Sequence, residues 1–187
     1  MSNILKKLGV KDVFYIDIGS HHPVFGNNTY LLYKNGGHGI LVEPNAGLCE
    51  AARSKRPRDI VVNAGAGRED GQADFYSFAK KSTRSSFSYE QAKKWEDESG
   101  QHPEIGKRQI FSLDTIIGKY ASGRVPDAVC IDAEGLDKEI LSGFGWKVLP
   151  KVFCIERSLG LEDILGLRGY ELKARILQND IYALKDS

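Results

Sequence analysis

The stretch FYIDIGSHHPVFGNNTY, residues 14–30, decides how the chain is read. Phe14, Tyr15, Ile16 and Ile18 form an apolar run of strand length, and Asp17 and Gly19 stand where that strand ends. An acid and a glycine after a buried strand begin a nucleotide-binding turn. The glycine-rich run that would cradle a pyrophosphate does not follow. His21, His22 and Pro23 occupy its place. The pattern fits a ligand that needs one close backbone approach and no phosphate nest.

Working outward, residues 39–44, 59–67, 126–135 and 150–158 repeat the apolar run, giving five core strands with 13–19. Helical stretches separate them at 28–37, 45–57, 136–144 and 161–169, and residues 110–121 hold a strand end followed by a helix begun at Ser112. Asn45 is the predicted N-cap of the second helix, just after Pro44 ends its strand. Residues 71–79 alternate like an edge strand, and YELKARIL with DIYALK reads as a closing antiparallel hairpin. Near-continuous apolar strands joined by helices predict an α/β fold with a mostly parallel sheet covered on both faces. The polar stretch 80–106 is a candidate lid or substrate loop, with a solvated connector as the alternative.

Composition bounds the rest. At 187 residues the chain suits a single domain over 1–187. A net charge of +1 gives no field toward nucleic acid or an anionic membrane. No apolar run approaches the roughly 18–20 residues of a membrane span. The start, MSNILKKLGVKDV, lacks a signal-peptide core. Cys49, Cys130 and Cys154 are irregularly spaced and are read as reduced, buried thiols of a cytoplasmic protein. No zinc-ligand spacing occurs.

Ligands of open α/β sheets bind beyond the carboxyl ends of the strands. Here those ends are Asp17-Ile18-Gly19-Ser20, Glu43-Pro44-Asn45, Asn63-Ala64-Gly65, Asp132-Ala133-Glu134-Gly135 and Glu156-Arg157, and four of the five carry a carboxylate. That is a poor phosphate site and a good one for a cation bearing hydroxyls. S-adenosylmethionine, with a sulfonium, an ammonium, a ribose diol and an adenine, is such a ligand. Glu43, at the end of the second strand, is placed to accept both ribose hydroxyls.

The blocks YIDIGSHHPVFGNNTYLLYKNGGHGILVEPN, VVNAGAGREDGQADFY, FSLDTII, PDAVCIDAEGLDKEILSGF and FCIE together resemble the FkbM family of S-adenosylmethionine-dependent methyltransferases, in family order over residues 13–184. The resemblance implies a class I methyltransferase (Rossmann-like) three-layer sandwich with a seven-stranded sheet. It implies a cofactor held by Asp17, Gly19, Ser20 and Pro44, by Glu43 through the ribose, and by Asn63 and Ala64 near the adenine. It implies O-methylation of a hydroxyl on a sugar-like or natural-product acceptor. One departure is plain: where many members carry Ala-Asn-x-Gly after the first turn, this chain has Ser20-His21-His22-Pro23.

Methyl transfer to a hydroxyl needs alignment, exclusion of water and a base. The candidate catalytic residues are His22, Asp132 and Glu134, with Asp132 also beside the sulfonium. His21, Glu156 and Arg157 are the candidate substrate contacts. A divalent ion held by Asp132, Glu134 and Glu156 is the alternative that is not favoured. Lys80, Lys81 and Arg84 become relevant only for a phosphorylated acceptor. Asp114 is read as setting a helix start, and Trp95 and Trp146 as packing residues. The expected partner is a small-molecule or glycan acceptor, with a homo-oligomer open. Two rival classes remain: a cofactor-binding module without turnover, and a nicotinamide oxidoreductase, disfavoured by the missing glycines.

Overall fold

The computed structural model describes residues 1–78 and 84–185. In chain order the first half holds α1 (Ser2–Lys7), β1 (Phe14–Ile18), α2 (Tyr30–Lys34), β2 (His38–Val42), α3 (Ala46–Lys55) and β3 (Ile60–Val62). Then come β4 (Gly65–Ala66), β5 (Gly71–Ser77), β6 (Ser85–Ser86), α4 (Tyr89–Ser99), β7 (Glu104–Phe111) and α5 (Leu113–Tyr120). The last part is β8 (Ala128–Ile131), α6 (Asp137–Gly143), β9 (Val152–Glu156), α7 (Leu161–Gly166), β10 (Tyr170–Ile176) and β11 (Asn179–Leu184).

The main sheet has seven strands in the order β10-β11-β9-β8-β1-β2-β3. Every pair among β3, β2, β1, β8 and β9 is parallel; β11 runs antiparallel to both β9 and β10. This is the expected mostly parallel sheet with a terminal antiparallel hairpin, and the class I methyltransferase order. The strands look continuously apolar because both faces are covered. Ile16, Ile18, Ile40, Val42, Val129 and Ile131 pack on the face of α5, α6 and α7. Their alternates Tyr15, Leu41, Ala128 and Cys130 pack with Leu5 of α1, Leu32 of α2 and Ala52 of α3. The reversal of strand order lies between β1 and β8, so their carboxyl ends, Ile18 and Ile131, face the crevice where ligands of such sheets bind.

The helix caps follow local chemistry. The Asn45 side chain accepts from Gly47 and Leu48 N–H, and the Ser112 hydroxyl accepts from Thr115 N–H. Asp114 does not start its helix; its Oδ2 accepts from Gly145 N–H at 2.7 Å. All three cysteines are buried and free.

Two expectations are corrected. Residues 59–67 are not one strand: β3 stops at Val62, and β4 leaves to join a second sheet of four strands, ordered β4-β7-β5-β6. The break comes at Asn63, whose side-chain amide donates to Glu43 O at 2.9 Å and Pro44 O at 3.0 Å instead of continuing the edge. Residues 84–106 are also no plain connector. Ser88 caps α4, Gly100 closes it at φ 67°, and β7 then pairs along all of β5. Lys80 and Lys81 lie outside the described residues; Arg84 is exposed.

Candidate functional site

Beyond the ends of β1, β2, β4 and β8 lies a cleft. Its floor is Ile18, Gly19, Val42 and Ala64; Glu43 and Pro44 line one side, and Asp132, Ala133 and Glu134 the other. Phe75, Ser85, Ser86 and Phe87 of the second sheet form its roof. Sequence reasoning placed none of these four. The only signal was the aromatic-serine alternation of SSFSY, which reads equally as a solvated loop. The roof closes tightly: a Cβ on Gly65 would come within 2.5 Å of the Phe87 ring.

Gly19 is where the backbone must pass closely. It has φ 71°, and a Cβ there would lie 1.9 Å from Asp132 O. The ends of β1 and β8 touch without a side chain between them. Gly19→Ala is therefore expected to lose roughly 2–4 kcal/mol of stability, from left-handed strain plus forced separation of two strands. Urea unfolding checks it; a variant within 0.5 kcal/mol of the parent would contradict the close approach.

Glu43 is buried, and both carboxylate oxygens are oriented by backbone: Oε2 accepts from His21 N–H at 2.9 Å and Oε1 from Asn45 N–H at 2.8 Å. Burial pushes its carboxyl up, while the Asn45 and His21 bonds pull it back. A carboxylate so fixed has lone pairs left for a diol. Across the cleft, burial pushes the Asp132 carboxyl up to about 6, with neighbouring Glu134 and Asp137 adding to the rise and His21 opposing it. Glu156 is also pushed up, by burial and then by Asp132, Asp137 and Glu134. His21 and Glu134 adopt left-handed conformations, φ 48° and φ 51°, and both line the cleft. Non-glycine residues held this way concentrate at working sites. Asp137, rather than Glu134, closes the turn before α6, its Oδ1 accepting from Ala133 N–H at 3.4 Å.

A second, more open hollow adjoins the first, lined by Asn27, Asn28, Lys34, Glu156, Gln178 and Asn179 among others. Asp132 lines both.

Several predicted site residues are placed elsewhere. His22 turns away from the cleft: its Nδ1 accepts from Val24 N–H at 3.2 Å and Phe25 N–H at 3.0 Å, and its ring lies against Phe25. His21 is the histidine on the cleft. Arg157 Nε donates to Asp180 Oδ1 at 2.9 Å, which ties β9 to the terminal hairpin. Asn63 spends its amide on the β2 end and lines no part of the cleft. Asp17 points to the opposite face, where its Oδ2 accepts from Thr29 Oγ1 at 2.7 Å and Asn27 Nδ2 at 3.0 Å. Ser20 Oγ is buried and without a hydrogen-bond partner among the described residues. Asp132, Glu134 and Glu156 do not come together as metal ligands: no group of three or more His, Cys, Asp or Glu able to hold an ion occurs among the described residues.

Beneath the β1 turn lies a network that sequence reasoning missed. Arg56, fully buried, donates to Asp59 Oδ2 at 2.6 Å, Asn27 Oδ1 at 2.8 Å, Tyr15 Oη at 2.8 Å and Thr29 Oγ1 at 2.9 Å. It thereby fastens residues 20–29, one wall of both hollows, to the end of α3. No helix among the described residues is long and apolar enough to cross a membrane.

A family model described as the methyltransferase FkbM domain matches residues 17–172. Among solved structures, a TehB-like SAM-dependent methyltransferase from Corynebacterium glutamicum is similar at 12% identity and a TM-score of 0.47, over 98% of this chain and 86% of that one. No curated protein matches.

Proposed function

Since the chain belongs to the FkbM methyltransferase family and is an S-adenosylmethionine-dependent methyltransferase, we propose that it methylates a hydroxyl of a sugar-like small-molecule acceptor held in the second hollow. The observation that carries this reading is the position of Asp132 on the wall common to both hollows, with its carboxyl at about 6.

The residues present fit the cofactor. Glu43 meets a ribose diol, and Val42, Leu48, Ala64, Phe75 and Phe87 form an apolar slot for adenine. Asp132 and Glu134 offer negative charge to a sulfonium and an ammonium. When bound, the cofactor supplies a methyl group on a positively charged sulfur. Asp132 accepts the proton of the acceptor hydroxyl at a carboxylate oxygen. Glu156, together with Asn28 and Asn179, holds the remaining hydroxyls. The roof over the cleft excludes water.

The sign of the pH dependence follows. A carboxyl at about 6 is protonated, and so unable to act as base, below that pH. The kcat/KM is expected to rise about tenfold per pH unit up to about 6 and then level, because it reports the free enzyme. The limb of kcat is expected lower, since a bound cation stabilises the charged form. Asp132→Asn should remove the limb and cut turnover by roughly 10²–10⁴-fold. S-adenosylhomocysteine should still raise its Tm. A variant that keeps both turnover and limb would remove Asp132 from the role.

A further inference from the structure

The second hollow carries two kinds of surface. Its interior is polar, with Asn27, Asn28, Asp132, Glu156 and Asn179. Its rim is apolar and open, with Leu31 56% and Leu177 92% exposed. Resting on the reading of that hollow as the acceptor site, we infer that the acceptor is an amphiphile: a neutral polyhydroxylated head inside, and a short apolar chain crossing Leu31 and Leu177.

Three observations lead there. Leu177 sits in the turn between β10 and β11 at φ 54°. Leucine rarely adopts that conformation, and turns place glycine or asparagine there. The side chain of a leucine held left-handed and almost wholly in water buries almost nothing in the fold, and with Leu31 it offers an apolar surface that a ligand chain can cover. Second, the two leucines come from walls fixed to each other. Leu31 belongs to α2 and Leu177 to the hairpin, and Asn179 Nδ2 donates to Asn28 Oδ1 at 2.9 Å between them. Third, charge selects the head. Asp132 and Glu156 line the interior against one cation, Lys34; burial raises both carboxyls, and Asp132 raises that of Glu156 further. A phosphate or carboxylate head would meet those acids, whereas hydroxyls hydrogen-bond to acids and amides alike. The class described is that of alkyl glycosides.

The test uses methyl, hexyl and octyl β-glucosides, each below its micelle concentration, with the protein saturated by S-adenosylhomocysteine and leucine methyls followed by NMR. Octyl glucoside is expected to bind at least tenfold more tightly than methyl glucoside and to shift the Leu31 and Leu177 methyls. Leu177→Gly, which relaxes the turn, and Leu31→Ser should each bring octyl affinity toward that of methyl glucoside, leaving S-adenosylhomocysteine affinity unchanged. Equal affinity across the three chain lengths, no binding by any, or a chain-length gain that survives both variants overturns the inference. Failure of the parent protein to bind S-adenosylhomocysteine would count against the cofactor site instead, and is read in the same samples.

Discussion

Arg56→Met is expected to cost the fold about 3–5 kcal/mol, the range found when one partner of a buried ion pair is removed. At roughly 2–4 °C per kcal/mol for a chain of this size, Tm should fall by about 6–20 °C. The reason is the company Arg56 keeps. Its side chain and that of Asp59 are both fully buried, and Asp17, also buried, faces the same charge. Methionine fills the volume but leaves two acids without their cation, and Tyr15 and Thr29 without the guanidinium donor. Asp59→Asn in the same chain should recover part of the loss, because it removes one stranded charge. Equilibrium urea unfolding measures all three proteins. A loss below 1 kcal/mol for Arg56→Met would mean that the network carries no net stability.

Glu43→Ala should weaken S-adenosylhomocysteine binding by about 2–3 kcal/mol, roughly 30- to 150-fold, the worth of a hydrogen bond to a charged group. Two effects contribute: loss of the ribose acceptor, and release of His21 and Asn45 N–H from the carboxylate that positions them. They can be separated by calorimetry with an analogue lacking one ribose hydroxyl. If Glu43 touches the ribose, substitution and deletion are non-additive; if it only organises the turn, they add. Binding should also weaken as pH falls through the raised Glu43 carboxyl, because the protonated acid loses the charge that strengthens those bonds.

The central sheet was readable because its strands obey one rule: both faces are covered, so apolar residues run almost without a break. Glu43 and Asp132 were readable as acids at strand ends, and the structure brings both to one cleft. The orientation of single residues just past a strand was not. His21 and His22 differ by one position, and the left-handed φ of His21 decides which of them meets the cleft. The same holds for Arg157, whose partner Asp180 lies on another strand. Arg56 stands in KRPRD, which reads as a solvated charge run; only tertiary packing reveals a cation under the turn. The second sheet was hidden because β7, EIGKRQIF, is polar where it begins and only its end is apolar.

The place of β1 in the sheet has a cost during synthesis. One neighbour, β2, follows after a short helix, but the other, β8, pairs at a sequence distance typified by Asp127 Oδ2 accepting from Phe14 N–H, 113 residues apart. A nascent chain that has left the ribosome only as far as β3 carries an open, mostly apolar strand edge along Tyr15–Ile18. Parallel pairing at that range must overcome loop-closure entropy before any contact rewards it, so folding is expected to be slow and the half-made sheet open to aggregation.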